Sequence, residues 1–410
     1  QLFSLFEANP DLVDLLVDII SSSPNLANHL AKNPQVFDAV IGSDFWSAWP
    51  GIDILADDLN LLLDLETDYE KKLETVRRWK KEWHFRIGVH LLRGLSDTNQ
   101  ASLQYAELAE VILQVIWPRV ILEFSSRHGN PPGRGAVVLG MGSLGSKNLN
   151  PTSDLDLIII YDADDIESSN GRVKLNTRVY YSRLTQALIT AVTAQMSQGK
   201  LYELDMRLRP SGRKGPVATS WTAFRDYQRK DAWLWEHLAL TQSRVITGPE
   251  SLSKDIEKFR ISLMGKTDIK VGRKALSEMR IRISKHNKTD EWNFKIGPGK
   301  IQDIELLSQL GALIHGTNTR NVDLGLDSAA KIGLIDSTNK IKLIHIYSVL
   351  STLNTASLLI SATGVREEAI SSGGVSLLLR LTSRHNMTGL KNELLALSKE
   401  AANIIDLAVV

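Results

Sequence analysis

Two aspartates one residue apart, Asp154 and Asp156, follow a glycine-rich turn in the middle of the chain. They open an apolar run that predicts a buried strand, and side chains two positions apart on a strand face the same way. Two carboxylates so close repel each other unless a cation lies between them. Mg²⁺ takes a few carboxylates and leaves its other positions to water and phosphate oxygens. The pair therefore indicates a metal-assisted phosphate site rather than two solvated acids.

A later segment supplies a third carboxylate and two cations. Asp205, Arg207 and Arg209 alternate within Lys200–Arg209, which predicts a third strand with these three side chains on one face. If that face also carries the first two aspartates, three carboxylates could hold two metal ions and the arginines could bind the leaving phosphates. The alternative is an exposed strand face with an ion pair along the strand.

The turn before the aspartates, Gly140–Gly145, has the spacing Gly-x-Gly-x-x-Gly of dinucleotide-binding folds. Such a fold needs a full helix after the glycines. Only eight residues, one of them proline, separate the last glycine from the first aspartate, so that helix has no room. A phosphate-binding loop of the Gly-x-x-x-x-Gly-Lys type fails too, because a serine stands between the last glycine and Lys147.

Short strands and one helix are predicted to position these residues. The strands are Gly135–Gly140, Leu155–Tyr161 and Lys200–Arg209, and a helix of about Thr177–Gln198 lies between the second and the third. Helices return after Trp221 and continue to the C-terminus, broken by glycine-containing loops.

Helices are also predicted before this centre. At Asn9-Pro10 and Asn33-Pro34 a capping residue precedes proline at the first helical position. A longer helix is predicted from Thr67 to about Leu95, where apolar residues recur at spacings of three and four, at Leu73, Val76, Trp79, Trp83 and Ile87. Basic and aromatic residues together could bind nucleic acid. The favoured interpretation is an amphipathic helix with buried tryptophans and a solvated basic face, which carries Arg77, Arg78, Lys80 and Lys81.

These elements predict an α+β fold that is mostly helical. A small mixed sheet with helices is expected to be flanked by an N-terminal helical region and a C-terminal helical bundle. A chain of 410 residues exceeds one core of ordinary size. The expected domains are residues 1–105, 106–250 and 251–410.

Composition excludes several classes of protein. The net charge of +1 gives no global field for a nucleic acid or a membrane, and the absence of cysteine excludes disulfides and thiolate metal sites. No basic segment followed by an apolar core marks a secretory signal at the start of the sequence. The uncharged stretch between Lys342 and Arg366 contains His345 and Asn354, which favours a buried bundle helix over a membrane span. We expect a cytoplasmic protein that binds neither nucleic acid nor membrane.

Together these motifs resemble a known family. The glycine-serine turn, the Asp-x-Asp strand and the later aspartate resemble the DNA polymerase beta-like nucleotidyltransferase superfamily. The resemblance is more specific to glutamine synthetase adenylyltransferase, a bifunctional adenylyl-transferring and adenylyl-removing enzyme with two such domains. It is carried by Gly140–Gly145, Ser153–Leu157, Asp205–Gly212, Asp226–Gln228, Ala232–His237 and Gly297–Glu305. The Trp-x-Trp-Glu-His form and the Asn-Pro helix starts resemble the C-terminal, adenylyl-transferring half. The family usually has Gly-Lys-Leu-Gly-Gly where this chain has Gly142–Ser146, and Arg-Glu where it has Lys147-Asn148.

The resemblance implies a reaction, its cofactor and its partners. AMP would move from ATP to a tyrosine hydroxyl of glutamine synthetase with release of pyrophosphate, at a two-metal Mg²⁺ site, and so regulate nitrogen assimilation. A PII-type nitrogen-signalling protein is the second implied partner. The implied catalytic metal ligands are Asp154, Asp156 and Asp205, the last also a candidate base. The implied nucleotide-binding residues are Gly142, Ser143, Lys147, Arg207 and Arg209. Two alternatives stay open: phosphorolytic removal of AMP from glutamine synthetase, and a catalytically silent module that binds nucleotide or the PII-type protein.

Overall fold

The computed structural model of the chain describes residues 10–33, 36, 40, 42–286, 291–366 and 368–410. Two residues of the expected asparagine-proline helix starts, Asn9 and Pro34, lie outside these ranges. Within these ranges, the α-helices before the sheet are α1 Pro10–Ser22, α2 Pro24–Lys32, α3 Ile52–Asp64, α4 Tyr69–Arg93 and α5 Thr98–His128. The helix α5 runs through the domain boundary expected at residue 105, and where that boundary falls stays a prediction.

Strands and helices alternate in the centre of the chain. In order they are β1 Gly135–Gly140, β2 Leu155–Asp162, α6 Thr177–Thr193, β3 Leu204–Asp205, β4 Ala218–Ser220, α7 Trp221–Lys230, α8 Leu234–Thr241 and β5 Arg244–Thr247. The C-terminal helices are α9 Glu250–Leu263, α10 Ile269–His286, α11 Ile301–His315, α12 Val322–Lys331, α13 Ser337–Ile360, α14 Ser372–Thr382 and α15 Met387–Val409. The predicted class, a mostly helical α+β fold around a small mixed sheet, is confirmed.

The strand β2 is the centre of the sheet. It pairs antiparallel with β1, and β1 pairs antiparallel with β5. Along its other edge β2 pairs in parallel first with β3 and then with β4. This register places Asp156 of β2 directly opposite Asp205 of β3.

The apolar run of β2 is buried on both faces, which explains why it does not alternate with polar residues. Leu157 and Ile159 belong to the large core that the N-terminal and C-terminal helices share. Ile158 and Ile160 face a second core, which includes Phe224 of α7 and several apolar side chains of α9. Both layers hold β2 rigidly, so the residues at its beginning have a fixed support.

The third predicted strand is wrong beyond its first half. Only Leu204 and Asp205 pair with β2, and the chain then turns away. The guanidinium of Arg209 donates to the backbone oxygens of Met206 at 2.6 Å and Pro216 at 3.0 Å, which fixes a loop in place of a strand. The alternating pattern of the sequence therefore extends beyond the strand, into a loop that hydrogen bonds from one of its own side chains stabilise. The predicted helix from Thr177 also ends early, at Thr193, and the strand β5 was not predicted.

The predicted basic face of α4 is only partly solvated. Leu73, Val76, Trp79 and Ile87 are buried as expected. Arg77 is buried too, with 1% of its surface exposed, and it donates to the backbone oxygens of Leu73, Ala191, Ala194 and Gly199. This arginine ties α4 to the end of α6, so the interpretation of a wholly solvated face is wrong there.

Among the described residues one helix, α13, is long and apolar enough to cross a membrane. More than half of its apolar window is buried inside the protein. Its polar side chains have internal partners: Thr352 lies 3.0 Å from the hydroxyl of Thr98, and Thr355 donates to Asn150 at 2.8 Å. These contacts fit the expected buried bundle helix.

An ion-pair network connects α9 to the loop before α12. Glu257 accepts hydrogen bonds from Arg260 at 2.8 Å and from Arg320 at 2.9 Å. Burial opposes ionisation of this carboxylate, but the two arginines prevail and lower the pKa of Glu257 to about 2. The network joins the sheet region to the loop before α12.

Candidate active site

The carboxylates singled out in the sequence lie together at the beginning of β2. Asp154 is exposed just before the strand, Asp156 is half-buried within it, and Asp205 lies opposite Asp156 on β3 with 16% of its side chain exposed. Neighbouring strands are about 4.8 Å apart. The structure therefore brings the three predicted catalytic residues to one edge of the sheet.

The electrostatics of Asp156 reflect this crowding. Burial, together with the negative charges of Asp205 and Asp154, raises the pKa of Asp156 to about 6. The positive charges of Lys295 and Arg207 act in the opposite direction. A carboxyl group in this position gains from any cation that enters the site.

Asp205 already has a cationic partner. Burial opposes its ionisation, but hydrogen bonds from Arg207 hold the pKa of Asp205 below its ordinary value. The backbone N–H of Arg207 donates to Oδ1 at 2.8 Å and its Nε donates to Oδ2 at 2.7 Å. The guanidinium of Arg207 is 66% exposed and so is free to be displaced toward solvent. This ion pair was part of the alternative interpretation of the segment, but it lies between the end of β3 and the following loop rather than along a strand.

The two predicted arginines do not share a strand face. Arg207 lies beside Asp205, whereas Arg209 is held by the backbone oxygens of its own loop. Both line an open cavity of about 400 Å³, together with Asp154 and Arg213. The positive charge of Arg213 acts on Asp205. Sequence reasoning missed Arg213 because it assigned the phosphate-binding role to an alternating strand that ended before it.

The glycine turn packs directly against Asp156. Residues Gly142–Gly145 form a single helical turn, and Gly142 has a φ of +49°. A Cβ atom at Gly142 would lie 2.9 Å from Oδ2 of Asp156, and one at Gly145 would lie 2.1 Å from the backbone oxygen of Gln242. The glycines therefore permit two close approaches, one to the carboxylate and one to the segment before β5.

Arg244, at the start of β5, holds this turn from behind. Its guanidinium donates to the backbone oxygens of Gly145 at 3.4 Å and Leu144 at 3.3 Å. It also forms an ion pair with Glu110 of α5, whose side chain is 7% exposed. No sequence signal pointed to Arg244, because β5 itself is only four residues long.

Ser143 and Lys147, the other predicted nucleotide-binding residues, have different surroundings. Ser143 stands on the turn and lines a small polar cavity toward the C-terminal helices. The ammonium group of Lys147 lies 3.7 Å from Glu107 and 3.6 Å from Glu110. Lys147 thus helps to neutralise these two glutamates of α5, and the structure does not bring it to the three aspartates.

Two further motif residues have structural roles. Asp303 accepts from the backbone N–H of Gly299 at 2.8 Å and from Nε of Arg280 at 2.6 Å, which anchors the start of α11. Glu236 accepts from the backbone N–H of Trp233 at 3.2 Å and so closes the first turn of α8. Both acids therefore stabilise the start of a helix.

The donor set fits a divalent cation in its chemistry. Among the described residues no three histidine, aspartate or glutamate side chains already converge closely enough to hold a metal ion. The three aspartates nevertheless offer hard oxygen ligands, and Asp156 stands opposite Asp205 across the sheet. Their mutual repulsion is the cost that a bound cation would remove.

Comparison with known proteins now identifies the family. Residues 13–259 match the family model of glutamate-ammonia ligase adenylyltransferase. The chain belongs to this family. It is 44% identical over 317 residues to the bifunctional glutamine synthetase adenylyltransferase/adenylyl-removing enzyme of Rhizobium meliloti (strain 1021), an alignment that covers 77% of this chain and 32% of the relative.

Other members of the family agree. The proteins of the same name from Brucella suis biovar 1 (strain 1330) and Rhodopseudomonas palustris (strain ATCC BAA-98 / CGA009) are 42% and 37% identical. These alignments cover 76% and 82% of this chain, and 32% and 35% of the relatives. The chain spans about a third of the length of the relatives that it matches. The resemblance drawn from the motifs is confirmed.

Proposed function

We propose that this chain is a nucleotidyltransferase that moves AMP from ATP to a tyrosine hydroxyl of glutamine synthetase and releases pyrophosphate. The observation that carries this proposal is the cluster at the start of β2, where Asp156 faces Asp205 across the sheet and touches the turn at Gly142. The relatives' name, glutamine synthetase adenylyltransferase/adenylyl-removing enzyme, supplies the acceptor and the two directions of transfer.

The three aspartates are the proposed ligands of a divalent ion, which we take to be Mg²⁺ in a two-metal site. Such an ion, when bound, neutralises the triphosphate and activates the attacking oxygen. Asp154, Asp156 and Asp205 would hold it. Because Arg207 occupies both oxygens of Asp205, a swing of this exposed guanidinium toward the phosphates would free the carboxylate. Asp205 would then also accept the proton of the tyrosine hydroxyl, a group whose unperturbed pKa is about 10.

The phosphates are proposed to bind between the glycine turn and the arginine loop. Backbone N–H groups at Gly142 and Ser143 open a helical turn, where anions bind readily. Arg207 and Arg213 line the cavity beside the carboxylates and would neutralise the departing pyrophosphate. Arg209 would act indirectly, because its guanidinium stabilises the loop that carries Arg207 and Arg213.

The direction of transfer is a separate part of the proposal. We favour the adenylyl-transferring direction on the Trp-x-Trp-Glu-His form of Trp233–His237. A PII-type nitrogen-signalling protein as a regulatory partner, and a cytoplasmic location, rest on the family resemblance.

The test is transfer of label from α-labelled ATP to unmodified glutamine synthetase in the presence of Mg²⁺. We expect label on the synthetase with the wild-type chain, and a rate lower by about three orders of magnitude with Asp156→Asn. Asp57→Asn removes an exposed carboxylate of α3 and should leave the rate unchanged.

The failing outcomes separate the alternatives. If no label appears but phosphate strips AMP from adenylylated synthetase, the chain works in the removing direction. If neither reaction occurs although ATP binds, the chain is a silent nucleotide-binding module and the proposal is wrong.

A further inference from the structure

The loop before α11 presents a lysine toward the glycine turn. In this loop Phe294 is buried and the next residue, Lys295, is exposed. The side chain of Asn293 accepts from the backbone N–H groups of Lys295 at 3.0 Å and Ile296 at 2.9 Å. The backbone N–H of Gln302 donates to the oxygen of Lys295 at 3.0 Å. The backbone of Lys295 is thus fixed relative to the start of α11.

Lys295 and the turn share one polar cavity. It lies between the sheet region and the C-terminal helices, and its lining includes Ser143, Asn148, Asn150, Lys295, Glu305 and Asn354. The positive charge of Lys295 acts on Asp156 on one side and on Glu305 on the other. The ammonium group therefore reaches from the C-terminal helical region to the edge of the carboxylate cluster.

The cavity is held at a fixed width by a short hydrogen-bond chain. The hydroxyl of Tyr347 donates to Glu305 at 3.1 Å and accepts from the side-chain amide of Asn148 at 3.0 Å. Asn148 belongs to the loop that follows the glycine turn, while Tyr347 and Glu305 belong to α13 and α11. The segment that carries Ser143 is therefore held against α11, the helix that follows Lys295.

The charge of Lys295 is unpaired among the residues that the structure describes. Within the described part of the chain, no carboxylate lies within ion-pair distance of its ammonium group, whereas Lys147 is engaged by Glu107 and Glu110. A lysine whose ammonium group has no carboxylate partner in the described part of the chain is a point charge that a phosphate anion can recruit.

We propose that the ammonium group of Lys295 contacts the phosphates of a nucleoside triphosphate bound at the Gly142–Gly145 turn, so that the C-terminal helical region completes the nucleotide site. This inference rests on the proposed function and adds a binding residue that lies beyond the range matched by the family model, residues 13–259. It also replaces Lys147, which the sequence had suggested for this role.

The experiment compares the binding of ATP and adenosine to three variants of the full chain. Adenosine lacks phosphates, so its affinity, measured by competition with a fluorescent ATP analogue, reports only the nucleoside contacts. We expect Lys295→Gln to weaken ATP binding by about tenfold to a hundredfold, because a charge-assisted hydrogen bond is lost, and to leave adenosine binding unchanged. Lys295→Arg should keep most of the ATP affinity. Lys270→Gln, at an exposed lysine of α10, should bind both ligands as the wild type does.

Two results would overturn the inference. Either Lys295→Gln binds ATP as tightly as the wild type, or it loses ATP and adenosine in equal measure, which would indicate a structural role. Both leave the proposed function intact, provided that the wild type binds ATP and transfers label. A wild-type chain that binds no ATP would instead refute the proposed function, and with it this inference.

Discussion

Replacing Gly142 by alanine probes the contact between the turn and the carboxylate cluster. The new methyl group would lie 2.9 Å from Oδ2 of Asp156, and ordinary contact begins near 3.4 Å, so the carboxylate must retreat by about 0.5 Å. The φ of +49° adds strain of about 1 kcal/mol for a residue with a Cβ. Because the obstructing atom is the end of a side chain, the protein should still fold.

The expected loss is therefore in activity more than in stability. Misplacement of a reacting group by about 1 Å can cost about a hundredfold in rate, so a shift of half that size should lower AMP transfer by about tenfold. Unfolding in urea should show a loss of about 1–2 kcal/mol. The assay is label transfer to glutamine synthetase, run beside urea titrations of the same preparations.

Gly94→Ala is the matched control. Gly94 has a φ of +72° at the end of α4, and a Cβ there would meet nothing within 4 Å. It should lose comparable stability but transfer AMP at the wild-type rate. If Gly142→Ala and Gly94→Ala had equal activity, the contact with Asp156 would have no part in the reaction.

Two further predictions concern the ion pairs that support the site. Glu257→Gln should lower the free energy of unfolding by about 1–2 kcal/mol at neutral pH. Since the folded-state pKa is about 2 against an ordinary value of 4.5, this difference should be constant above pH 4.5 and vanish as the pH falls toward 2. Urea titrations across pH measure it, and a constant offset at every pH would contradict the assignment. Glu278→Gln, at an exposed carboxylate of α10, is the control and should change the stability by less than about 0.5 kcal/mol. Arg244→Ala leaves the buried carboxylate of Glu110 without its main partner and should cost about 2–3 kcal/mol, whereas Arg93→Ala, which breaks an exposed pair, should cost under about 1 kcal/mol. Equal losses in the two arginine variants would mean that the glycine turn does not depend on Arg244.

Local patterns predicted the centre of the fold well. The buried strands β1 and β2 follow from continuous apolar runs, and the turn between them follows from its glycines. Asp154 and Asp156 could be singled out because two carboxylates at the start of a strand repel each other unless a cation lies between them. The residues alone left the assembly of this pair with Asp205 as a condition, and the family resemblance implied it. The strand that carries Asp205 is much shorter than its alternation suggested.

The features that the sequence did not predict depend on contacts between distant parts of the chain. The alternation of Asp205, Arg207 and Arg209 looks the same whether the arginines face phosphate or their own backbone, and only the fold shows that Arg209 binds the loop. Arg244 and Lys295 approach the turn from other elements, and no spacing in the sequence connects them to it. Long-range pairing of this kind is decided by packing rather than by periodicity.

The central claim is that Asp156 and Asp205 work as one unit in AMP transfer, and a double-mutant cycle tests it most directly. Initial rates of label transfer to glutamine synthetase would be measured for the wild type, Asp156→Asn, Asp205→Asn and the double variant. We expect each single substitution to cost about three orders of magnitude and the double variant to be little slower than either, because a site that has lost one member no longer works. Rates above about a tenth of wild type in either single variant, or losses that multiply in the double variant, would contradict a shared site.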